Sequence, residues 1–79
     1  MGGESSQEAK HWIEKAIAYD QENKLLYELG MDHTVYADFS KQTGNIIKAK
    51  KRLDNARDIF KECGADGWVK KIEIELAEL

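Results

Sequence analysis

The chain has 79 residues, with 12 Lys and Arg against 15 Asp and Glu, no proline and one cysteine. That length allows one small domain near the lower limit for an independent core, burying roughly 60% of the surface its unfolded form exposes. The net charge of −3 gives no electrostatic footprint for nucleic acid or an anionic membrane surface. A single Cys63 excludes an internal disulfide framework and a cysteine-built zinc site, and suits a reducing, cytoplasmic setting. No apolar run approaches the length of a membrane span.

Met1-Gly2-Gly3-Glu4 lacks the basic start and apolar stretch of a secretory signal, and residues 1–5 are expected to be a disordered leader. Without proline, the apolar residues recur at helical spacing between glycines, which predicts four helices in one domain over residues 6–79. The first is expected over about residues 6–22. Ser5 and Glu8 form a capping-box pattern at its start, and Ala9, Trp12, Ile13, Ala16 and Ile17 make one stripe.

A second helix is expected over about residues 23–42, with Leu25, Leu26, Leu29, Val35, Tyr36, Ala37 and Phe39 forming two adjoining apolar stripes. Gly30 in its middle costs about 1 kcal/mol relative to alanine. Either the helix breaks there or the glycine admits a neighbouring helix. The stripe resumes in phase after it, which favours a continuous helix.

Thr43-Gly44-Asn45 is the clearest punctuation: Gly44 suits the left-handed position after a helix, and Asn45 suits the cap of the next. The third helix is expected over about residues 45–63, with a seam of Ile46, Ala49, Leu53, Ala56, Phe60 and Cys63. Cys63 reads there as a small buried hydrophobe. Gly64 ends it, and Asp66 is expected to cap a fourth helix over about residues 66–79, whose apolar side is Trp68, Val69, Ile72, Leu76 and Leu79.

A shift of 40 residues places Ala9 on Ala49, Ile13 on Leu53 and Ala16 on Ala56, so the first and third helices share a core pattern. Across the second and third helices, Ala37, Gly44, Ala49, Leu53 and Ala56 resemble the small and large apolar positions of the tetratricopeptide repeat. His33, Ser40 and Lys61 depart from it, standing where that pattern favours Trp, Tyr and Pro. The period exceeds the usual 34 residues by about one and a half helical turns. The stretch from Ala56 through Gly64-Ala65-Asp66-Gly67-Trp68 to Leu76 is similar to the segment that closes long-helix arrays in large bacterial signalling proteins. The resemblance covers about residues 9–79. It implies an all-α array of antiparallel hairpins, and a non-catalytic module for protein interaction or scaffolding.

Candidate partner-binding residues follow from that resemblance and from exposure: Tyr27, Met31, Asp32, His33 and Lys41 for a helix-lined groove that accepts a peptide or a partner helix. Trp12, which takes the position Arg52 holds in the third helix, is a candidate interface residue. The first helix lacks the partner helix that a full repeat would supply, so an alternative is a homodimer that completes the stack. No catalytic residue, cofactor or metal site is expected, since no phosphate loop, nucleophile elbow or His-Glu-x-x-His pattern occurs. Lys48, Lys50, Lys51 and Arg52 are followed by Asp54, Asp58 and Glu62, and Asp54 is expected to pair with Lys50 and Lys51 on a solvated face rather than leave them to nucleic acid.

Overall fold

The computed structural model describes the backbone of residues 2–79 and the side chains of residues 7–79. Four helices follow one another in chain order: α1, Gly2–Glu22; α2, Leu26–Gln42; α3, Ile46–Glu62; and α4, Asp66–Glu78. No strand occurs among the described residues.

The turns explain the spacing. Each of the first three helices is followed by a turn residue of positive φ, at Lys24 (56°), Gly44 (83°) and Gly64 (76°). In each turn the next amide reaches back to a carbonyl of the finished helix: Leu25 to Asp20 at 2.9 Å, Asn45 to Ser40 at 2.8 Å, and Ala65 to Phe60 at 2.8 Å. Lys24, Gly44 and Gly64 also donate to Gln21, Lys41 and Lys61. These paired bonds satisfy carbonyls that the helix end leaves open. The same turn therefore recurs at a 20-residue step, and the α1–α2 junction repeats as the α3–α4 junction 40 residues later.

Each helix packs on the next, most extensively α2 on α3. Ala37, Leu53, Ala56, Phe60, Val69 and Ile72 form the buried cluster, with Met31, Ala65, Trp68, Leu76 and Leu79 against it. The Phe60 ring is fully buried and stacks on Trp68, with centroids 5.3 Å apart and planes 11° apart. Tyr27 meets it edge-on at 5.6 Å. Gly30 makes this possible: a Cβ there would lie 2.7 Å from Cε1 and Cζ of the ring. The helix is thus continuous through Gly30, and the glycine also admits its neighbour.

Several expectations change. α1 begins at Gly2, ahead of the expected start, so Ser5 lies inside the helix rather than at its cap; its side chain is outside the described residues, as are those of the rest of the expected leader. α2 starts at Leu26 rather than residue 23, because Lys24 takes the left-handed turn that glycine takes elsewhere. Asn45 does cap α3, accepting from the Lys48 amide at 3.1 Å, but Asp66 is the first helical residue of α4, and its cap position is Ala65. Cys63 is exposed, not buried, because α3 ends one residue before it. Val35 is exposed at 49%, since Tyr36 and Ala37 take the inward side; Phe39 is only half-buried. Asp54 pairs with Arg57 at 3.3 Å, about two turns toward the C-terminus from the expected lysines.

Candidate functional site

Two surfaces hold the candidate residues. The first lies where α2 and α4 flank α3. Trp68 Nε1 donates to the Tyr27 hydroxyl at 2.8 Å, near the start of both helices. Toward their other ends, Lys41 of α2 bonds the Glu75 carboxylate of α4 and pairs with Asp38 at 3.7 Å. The Glu75 bond raises the Lys41 ammonium above its ordinary pKa. Starts meet starts and ends meet ends, so α2 and α4 run parallel. Lys71 sits 4.8 Å from the Trp68 ring centroid. Tyr27, Met31 and Lys41 belong to this region, with Met31 packed on the core. Their side chains are engaged within the molecule, which leaves this face bridged at both ends.

Asp32 and His33 belong elsewhere. His33 is buried, and burial first, then the nearby Arg52 charge, lowers its pKa below the ordinary value. Asp32 is half-buried, and its Oδ2 is buried without a hydrogen-bond partner. Burial, then the Asp20 carboxyl and the Glu28 charge, push its pKa up to about 7. At the α1–α2 junction the Tyr36 hydroxyl donates to Glu14 at 3.0 Å, and the Arg52 guanidinium lies 4.3 Å from the Tyr36 ring centroid.

The second surface is the outer face of α1. Trp12 is 66% exposed and Tyr19 is 62% exposed. Their seven-residue separation puts both on one side of the helix. Lys15, between them, lies 5.4 Å from the Trp12 ring centroid. Among the helices α1 packs only on α2. The sequence pointed to Trp12; Tyr19 was missed because it lies outside the Ala9-to-Ile17 stripe, although two turns from Trp12 is a legible spacing.

The opposite end of the array differs. The 40-residue shift maps Gly30, His33 and Ala37, buried residues of α2, onto Lys70, Glu73 and Ala77 of α4. Ile74, 63% exposed, stands there among Lys70, Lys71, Glu73 and Glu78. Charged residues at such positions make a terminal helix self-sufficient in water.

A cleft of about 320 Å³ also opens between α1, α2 and the start of α3, with Lys10 and Lys48 at its sides and Tyr36, Phe39, Ser40 and Thr43 among its lining. The buried polar atoms without a hydrogen-bond partner lie on Asp32, His33 and Arg57, none of which lines it. Among the described residues no cluster of three His, Cys, Asp or Glu side chains can hold a metal ion, and no helix is long and apolar enough to cross a membrane.

No protein-family model, curated protein or solved structure matches the chain.

Proposed function

We propose that this chain is a non-catalytic protein-interaction module of tetratricopeptide-like type, working as the end of a helical array in a cytoplasmic setting. Its outer α1 face takes a partner helix. The observation that carries this reading is the exposure of Trp12 and Tyr19 on a helix with one neighbour, opposed to a charged far end. Large aromatics anchor interfaces because they bury much apolar area at little cost in rotamer freedom. Lys15 beside Trp12 adds a charge at the rim, where it acts on partner choice more than on affinity. A partner helix on this side would supply the packing that α2 gives α3, which is the neighbour a repeat needs. The fold resemblance supports an interaction role by association, and the exposed aromatics support it on physical grounds.

A second copy of the chain is the other occupant these residues fit, because the same face on two molecules can pair about a two-fold axis. Light scattering over a concentration series separates the two. A dimer that becomes a monomer in Trp12→Asp, with helical circular dichroism unchanged, identifies the second copy. A monomer in both directs the search to a different helical protein. Loss of helical content in Trp12→Asp would contradict the reading, because it would make Trp12 a structural residue rather than an exposed anchor.

A further inference from the structure

The 20-residue step that repeats the turns also sets the cleft against the aromatic cluster. The Phe60 ring stacks on Trp68, meets Tyr27 edge-on and leaves no room for a Cβ at Gly30. Twenty residues earlier these four positions are Ser40, Lys48, Gln7 and Lys10. All four line the cleft between α1, α2 and the start of α3. The turns that frame the two places match, with Asn45 to Ser40 and Ala65 to Phe60 both at 2.8 Å. The backbone thus builds one socket twice. Three aromatic rings occupy the second socket. In the first, two cations, a hydroxyl and an amide stand at those positions, and about 320 Å³ is open.

The open socket joins an apolar wall to unpaired positive charge. Tyr36 and Phe39 meet edge-on, with ring centroids 6.3 Å apart, and supply the wall. Lys10 comes from α1 and Lys48 from α3, and no carboxylate lines the cleft. Neither lysine forms an ion pair among the described residues. Two cations on one cleft, in a chain of net charge −3, favour an anion that can bond both. Ser40 is 2% exposed, and its carbonyl already takes the Thr43 hydroxyl at 3.1 Å and the Asn45 amide. Its own hydroxyl, open to the cleft, bonds no group among the described residues, so it is free to donate to that anion. A dry cavity of about 150 Å³ holds a benzene ring, so this volume holds a ring together with its charged group.

We propose that the cleft binds a small planar aromatic anion, a carboxylate or phosphate carried on one ring. The ring takes the place that Phe60 fills in the other socket, and the charge lies between Lys10 and Lys48. Trp12 and Tyr19 are outside this lining, so the cleft and the outer face of α1 are tested apart.

NMR titration of the full chain with phenyl phosphate, and separately with benzoate, tests the proposal; inorganic phosphate and benzyl alcohol probe the charge and the ring alone. Saturable shifts centred on the amides of residues 36–48 are expected from a ring anion, with binding at least about tenfold tighter than either control. The tighter of the two ring anions identifies the charged group. Lys10→Met and Lys48→Met are each expected to weaken binding about tenfold. Ser40→Phe, which supplies the ring of the other socket, is expected to abolish it. The lysine variants carry the test should Ser40→Phe fail to fold, since Lys48 is exposed and Lys10 half-buried. No saturation by either ring anion below about 10 mM, equally tight binding of inorganic phosphate, or unchanged binding in both lysine variants would overturn the proposal.

Discussion

Gly30 shows how one residue can be disfavoured by local rules and required by packing. Alanine there would gain about 1 kcal/mol of helix propensity. Its Cβ would, however, sit 2.7 Å from a Phe60 ring that is fully buried and held between Trp68 and Tyr27. Overpacking a core typically costs about 1–3 kcal/mol, so the clash outweighs the propensity. Gly30→Ala is expected to lower stability by about 1–2 kcal/mol in urea unfolding; a stabilised variant would show that the ring has room to move. Exposure at single positions was less legible. Cys63 continues the α3 seam by spacing yet lies past the helix end, and Val35 is one residue out of phase with the buried Tyr36. Periodicity gives a side, while the end of a helix and its exact rotation depend on the turn and the neighbour.

At the scale of elements, glycine marks two of the three turns, and those were readable. Lys24 was not, because a lysine carries no signal for positive φ, and the expected start of α2 moved three residues upstream as a result. The 20-residue step from Gly44 is the sign that could have located it. A left-handed conformation costs a non-glycine residue roughly 1–2 kcal/mol, partly returned as lower unfolded-state entropy compared with glycine. Lys24→Gly is therefore expected to stabilise the protein by about 0.5–1 kcal/mol, read from the denaturation midpoint. A loss of stability would mean that the Lys24 side chain contributes more than its backbone strain costs. The environment of Asp32 was illegible for another reason. Asp32 reads from the sequence as a groove residue of α2, and only the folded chain leaves its Oδ2 buried without a hydrogen-bond partner.

For the whole molecule, four amphipathic stretches without proline specified an all-α array, because each stripe needs a neighbour and short turns make consecutive helices those neighbours. The proposed function rests on what the four-helix fold leaves over. At one end α4 turns charged residues outward; at the other α1 turns out Trp12 and Tyr19. The groove residues expected on α2 divide between the two sides, with Tyr27 and Lys41 bonded to α4 and Asp32 set against α1. That division moves the candidate contact surface from the α2 groove to the outer face of α1.

Site-specific photocrosslinking tests that placement most directly. A photoreactive residue is placed at position 12 in one variant and at position 74 in another, since Trp12 and Ile74 are almost equally exposed, at 66% and 63%. In cells of the protein's source, saturable adducts to one protein, whether a second copy or another chain, are expected from position 12 and absent from position 74. Equal adducts from both positions, or none from position 12, would contradict an interface on α1.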